Sequence, residues 1–167
     1  PHPDYPGLNT QRARKLMREY LSSVSGIDRN VGLLMQTLDH LGLAQNTIVI
    51  FTSDHGYNIA HNGMWHKGNG YWLLHEPPQG SSDVPRGQRP NMFDNSLKVP
   101  TIIRWLGVIP ETSINLSTMS NLDWLPTIVD IAQGNISKNN IVRGKSYLPV
   151  FLDPERVVST DYYAAYS

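Results

Sequence analysis

The sequence predicts an α/β fold in which a mostly parallel sheet is sandwiched by helices. Two apolar, β-branched runs lie between two stretches of helical periodicity, and that alternation of strand and helix is the pattern of a parallel sheet with crossover helices. The first run, Thr47-Ile48-Val49-Ile50-Phe51-Thr52, shows no polar alternation, and the second, Val99 to Trp105, reads the same way. Strands without alternation are expected to be covered on both faces.

Residues 1–9 carry three prolines and a glycine and read as an extended opening segment. From Thr10 to Leu41 the apolar residues Leu16, Met17, Tyr20, Leu21, Val24, Ile27, Val31, Leu34, Met35, Leu38 and Leu41 recur in steps of three and four. That spacing predicts one long amphipathic helix. Thr10 or Asn9 can cap its start and Gly42 can supply a left-handed stop, while Gly26 and Gly32 leave room for a bend. After the first strand the chain runs from Ser53 to Lys98 without a clear period, through four histidines and two tryptophans. Long connections of this kind inside a compact domain are usually functional. This one leaves the C-terminal end of a buried strand, where open α/β sheets place their ligand sites. Pro100 stands at the start of the second strand, where a missing amide is tolerated. A shorter helix then opens at Ser120 or Asn121, accommodates Pro126 early, and is expected to stop at Gly134.

Composition narrows the function. The 167 residues contain 14 basic and 14 acidic side chains and no cysteine. A formally neutral chain lacks the basic surplus that phosphate neutralisation needs, so nucleic acid is not an expected partner. Without cysteine there is no disulfide, thiolate metal site or cysteine nucleophile. No apolar run approaches the roughly 20 residues that span a bilayer. A chain of this size buries roughly two-thirds of its unfolded surface, enough for one compact domain.

Asp54 and His55 follow the first strand directly, with Gly56 after them. A carboxylate and an imidazole there can ligate one metal ion; residue type alone favours Asp54 as a turn cap and His55 as a surface residue. His61, His66 and His75 follow, but the spacing of the four histidines matches no standard zinc pattern. Lys67 stands before Gly68-Asn69-Gly70, where glycines let backbone approach a ligand; a solvated lysine is the alternative. Gly68-Asn69-Gly70 is no phosphate loop, since it lacks the lysine–serine ending and helix of a Walker site.

Taken together these residues resemble the sulfatase family of the alkaline-phosphatase superfamily. The resemblance lies in Leu41 to Gly56, His61 to Lys67, Val99-Pro100-Thr101-Ile102-Ile103-Arg104, Leu122-Asp123-Trp124-Leu125-Pro126-Thr127, and Arg143-Gly144-Lys145-Ser146-Tyr147-Leu148-Pro149, in the family's order. It implies an alkaline-phosphatase-like α/β catalytic domain that hydrolyses sulfate esters. Asp54 and His55 match two metal ligands, and Lys67 matches the lysine that contacts the sulfate ester. His2 is the counterpart of a histidine acting as general acid, and His61 and His66 are substrate-contact candidates. The family's formylglycine nucleophile arises in a C/S-x-P-x-R motif that this sequence does not contain; Ser82-Asp83-Val84-Pro85-Arg86 has the wrong spacing and place. The early aspartate pair that completes the metal site is also missing.

The expectation is therefore that residues 1–167 form a single partial catalytic domain, the later half of one, with 53–98 as its active-site loop region. The resemblance further implies one divalent metal, Ca2+ before Mg2+ or Mn2+, a small-molecule or glycan sulfate ester as substrate, a formylglycine upstream, and a periplasmic or secreted location. Two alternatives share this half-site: a phosphodiesterase or phosphonate hydrolase of the same superfamily, and a non-catalytic homologue that binds sulfated glycans.

Overall fold

The computed structural model describes residues 8–67, 71–72, 93–137, 140–158 and 161. They fall into two compact units, one drawn from Pro1–Gly42 and Phe51–Ile102, the other from Leu43–Ile50 and Ile103–Ala165.

The first unit opens with α1, Thr10–His40, an uninterrupted helix that passes through Gly26 and Gly32. Asn9 is its cap: the Asn9 side chain accepts from the Arg12 amide at 2.9 Å. Gly42, at φ +67°, takes the left-handed position past its end. Only Ala13 of α1 is buried, against Ala60, with Leu8, Leu16 and Trp65 packed around the pair. Much of the apolar stripe, including Tyr20, Leu21, Val24, Ile27 and Leu34, is exposed in this chain.

The first predicted strand is β1, Val49–Phe51, shorter than the apolar run that announced it. Beyond it the span expected to lack a period holds β2, Asn58–Ile59, β3, Met64–His66, and β4, Tyr71–Trp72, in a three-stranded antiparallel sheet. Asn58 pairs with His66 and Ile59 with Trp65; Met64 pairs with Trp72 and Trp65 with Tyr71. Strands of two or three residues are too short to show a period of two, so this sheet left no trace in the hydrophobic pattern. A single helical turn, α2, Asp94–Leu97, precedes the second predicted strand, β5, Ile102–Arg104.

β1 and β5 are neighbours in a two-stranded sheet. The expectation that both are covered on both faces does not hold within this chain: Phe51 is 40% and Ile102 65% exposed. Two strands alone cannot supply the flanking layers that bury a parallel sheet.

In the second unit, Asn121–Asp123 form a 3-10 turn capped by Ser120 and lead into α3, Trp124–Ile131. The helix stops earlier than Gly134. Gln133, at φ +54°, takes the left-handed position, and the Gly134 amide reaches back to the Val129 carbonyl at 2.8 Å. With the Gln133 amide on the Asp130 carbonyl at 3.0 Å, this is a Schellman ending in which glycine is the second residue past the cap. A last short helix, α4, Leu148–Leu152, contributes Val150 and Phe151, which with Tyr147 form the core against Ile103, Ile109, Met119, Trp124, Ile131 and Val158.

Candidate active site

The site begins where β1 ends. Thr52 and Thr101, just outside the two paired strands, share a hydroxyl hydrogen bond of 3.0 Å. The Ser53 hydroxyl then donates to the His55 carbonyl at 2.8 Å and lies 3.4 Å from Asp54 Oδ1, closing a tight turn. That turn turns two side chains toward each other: His55 Nε2 is 3.5 Å from Asp54 Oδ2.

The other ring nitrogen fixes the tautomer. His55 Nδ1 is 2.9 Å from the Gly56 carbonyl oxygen, which can only accept, so Nδ1 carries the proton. In the neutral ring Nε2 then presents a lone pair on the side of the carboxylate. A ring N–H held by a backbone carbonyl is also the usual outer contact of a metal-ligating histidine. Asp54 is 83% and His55 38% exposed at the side chain. Among the described residues no group of three or more histidine, cysteine, aspartate or glutamate side chains is arranged to hold a metal ion. Two donors are fewer than the six or more that a hard cation such as calcium collects.

Gly56 seats this turn on α2. Its amide donates to the Ser96 carbonyl at 2.9 Å, and a Cβ at this position would lie 2.1 Å from the Asn95 carbonyl oxygen. Two residues on, Asn58 is fully buried at the start of β2, its Nδ2 2.7 Å from Ser96 Oγ and 3.4 Å from the His66 carbonyl.

β2 turns into β3 through Ala60, buried at φ +62°, and the 3-10 turn His61–Gly63. His61 Nδ1 accepts the Ile59 amide at 3.0 Å, which pins the imidazole over the turn. His66 closes β3 at φ +125°, a conformation that costs a non-glycine residue on the order of 1–3 kcal/mol and that collects at functional sites. The half-buried His66 ring lies 6.1 Å from the ring of Tyr57, which meets Trp65 edge-on at 5.3 Å. Lys67 follows directly and is exposed.

The sequence-predicted residues therefore fall in two groups. Asp54 and His55 are in contact after β1; His66 and Lys67 are adjacent at the end of β3, with His61 on the preceding turn. His2 lies outside the described residues, as do His75, Gly68–Gly70, Ser82–Arg86 and the rest of 73–92 in the long loop. Sequence reasoning missed Asn58 and Ser96. Neither belongs to a motif; a lone asparagine between Tyr57 and Ile59 is the only local hint that a polar side chain is being buried.

Three comparisons bear on this geometry. The Sulfatase family model matches residues 2–134. Steryl-sulfatase from Rattus norvegicus is 33% identical over 152 residues, which cover 90% of this chain and 24% of that protein. N-acetylglucosamine-6-O-sulfatase from Bacteroides thetaiotaomicron is 27% identical over 143 residues, covering 86% of this chain and 21% of the relative. In structure, the chain resembles a solved protein in complex with its substrate D-glucosamine-2-N,6-O-disulfate, with a TM-score of 0.67 and 26% identity over 84% of this chain and 24% of that one. The chain spans less than a quarter of the length of each of these relatives.

Proposed function

The chain belongs to the sulfatase family, and from that premise we propose that it supplies part of the active site of a hydrolase that cleaves sulfate esters. Its fold class is the alkaline-phosphatase-like α/β one of that family. The observation that carries the reading is the Asp54–His55 pair, whose Oδ2 and Nε2 lie 3.5 Å apart just after β1.

The reaction is addition of water across the S–O bond, giving an alcohol and sulfate. Asp54 and His55 would hold a divalent cation, which draws charge from the sulfate oxygens; the hard carboxylate of Asp54 favours calcium or magnesium, and the His55 nitrogen admits manganese. Lys67 presents its ammonium to the ester's bridging oxygen and stabilises the electron pair left there as the S–O bond breaks. His2 is assigned the proton for that leaving oxygen on its sequence match alone. His61 and His66 contact the substrate beside Lys67; with Nδ1 of His61 taken by the Ile59 amide, His61 would use its Nε2 edge. The nucleophile comes from outside these 167 residues, as a formylglycine. The substrate class is a small-molecule or glycan sulfate ester, in line with the names of the steryl- and N-acetylglucosamine-6-O-sulfatases. Among the described residues no helix is long and apolar enough to cross a membrane. A periplasmic or secreted location completes the proposal, and cell fractionation tests it.

The test of the activity is sulfate release by the full-length protein from an aryl sulfate and from a sulfated glucosamine, beside a phosphate diester as control. Sulfate release that Asp54→Ala and Lys67→Ala suppress supports the reading. Hydrolysis of the phosphate diester alone, or of neither ester, overturns it.

A further inference from the structure

We propose, building on the sulfate-ester reading above, that Ser96 acts with Asn58 as a positioning pair that couples the Asp54–His55 turn to the His66–Lys67 segment. Ser96 is 7% exposed and makes two separate contacts from one residue. Its carbonyl accepts the Gly56 amide at 2.9 Å, directly beside His55, and its Oγ receives the Asn58 side chain at 2.7 Å.

Asn58 carries the connection to the other group. It is fully buried, stands opposite His66 in the β2–β3 register, and places Nδ2 3.4 Å from the His66 carbonyl. An amide nitrogen has two N–H bonds, so one can reach Ser96 and the other His66. The His66 carbonyl belongs to the peptide that leads into Lys67. A φ of +125° at His66 persists only where the surroundings over-determine it, and a buried amide on the next carbonyl is such a determinant. The Asn58–His66 contact is long, so it orients the peptide more than it binds it. Together these contacts run from Gly56 through Ser96 and Asn58 to His66. They tie the anionic and the cationic side chains of the site to the same turn of α2.

The two contacts of Ser96 are separable. Ser96→Ala removes Oγ and keeps the carbonyl that holds Gly56, so it should release Lys67 and leave the Asp54–His55 turn in place. The experiment uses the full-length protein with Ser96→Ala, Asn58→Ala, their combination, and Ser96→Thr. Steady-state kinetics on a sulfate ester are read beside amide exchange at Gly56 and across Trp65–Lys67.

Each alanine variant is expected to lower kcat about 10- to 100-fold while KM moves by less than about threefold, as for a misplaced reacting group. The double variant should be no worse than the weaker of the two singles, because both break one chain of contacts. Exchange should quicken across Trp65–Lys67 and stay unchanged at Gly56 in Ser96→Ala, and Ser96→Thr should restore both kcat and protection. Losses that simply add, unchanged kcat, or exchange that quickens equally at Gly56 and Lys67 overturn the coupling. The two readings fail separately: the exchange split in a protein that releases no sulfate keeps the coupling and ends the sulfatase reading, whereas sulfate release with no split and unaltered variants ends the coupling alone.

Discussion

His55 Nε2 stands 3.5 Å from Asp54 Oδ2 while its Nδ1 is held on the Gly56 carbonyl at 2.9 Å. The backbone contact orients the imidazole, so little ordering entropy would remain to be lost if the ring ligated the proposed metal. Charge then separates the two residues. Asp54 brings a lone pair and a negative charge, and His55 a lone pair only.

Asp54→Ala is therefore expected to abolish tight binding of a divalent metal by the full-length protein, and His55→Asn to keep much of it, since the asparagine carbonyl is a neutral donor. Isothermal calorimetry and metal analysis of the two variants check this. Equal losses would mean that the imidazole contributes more than its lone pair.

Lys67→Ala should act on turnover. Charge on the bridging oxygen grows as the ester bond breaks, and loss of one such electrostatic contact costs about 10²–10³ in kcat, roughly 3–4 kcal/mol, with a much smaller change in KM. A raised KM with kcat unchanged would make Lys67 a ground-state binder.

The long helix, both strands of the β1–β5 pair and the α3 helix were legible because each carries a period or an unbroken β-branched run over enough residues to register. The cap at Asn9 and the stop at Gly42 followed from residue type. At α3 the stop was expected at Gly134, and the helix ends earlier: Gln133 takes the left-handed position, and the Gly134 amide closes the Schellman ending one residue later, where a Cβ would lie 3.2 Å from Val129 Cγ1. The contact between Asp54 and His55 was legible only as two neighbours placed directly after a strand. The Ser96–Asn58 contact was not, because it joins residues 38 apart through single side-chain atoms, and no local pattern encodes such a meeting.

Gly56→Ala should be the most disruptive single methyl in the site. The added Cβ would sit 2.1 Å from the Asn95 carbonyl oxygen, and that neighbour is backbone, which cannot swing aside. Overpacking ordinarily costs about 1–3 kcal/mol, and a clash with main chain belongs at the upper end. Thermal or urea unfolding of the full-length variant reads the loss; a stability within about 0.5 kcal/mol of the parent would show that α2 shifts freely.

The second unit offers a stability prediction independent of the chemistry. Asp123 is 6% exposed, and its carboxylate accepts the Ser120 amide through Oδ2 and the Lys145 amide through Oδ1, each at 2.8 Å. The first bond completes the capping box of the 3-10 turn Asn121–Asp123; the second fastens Lys145, whose neighbour Gly144 passes so close that a Cβ there would lie 2.0 Å from the Leu122 carbonyl oxygen. From there Thr127 carries the contact onward, donating to the Asp123 carbonyl at 2.6 Å and accepting the Tyr147 amide at 2.9 Å, which leads into the core around Tyr147. Asp123→Asn keeps the shape but offers one oxygen to two donors and turns an amide N–H against the second. A backbone N–H left without its partner costs about 1–3 kcal/mol. Asp123→Asn should therefore lower stability by about that amount, and Asp123→Ala, which orphans both amides, by more. Urea unfolding of the two variants checks the order, and a more stable Asp123→Ala would mean that water replaces both bonds.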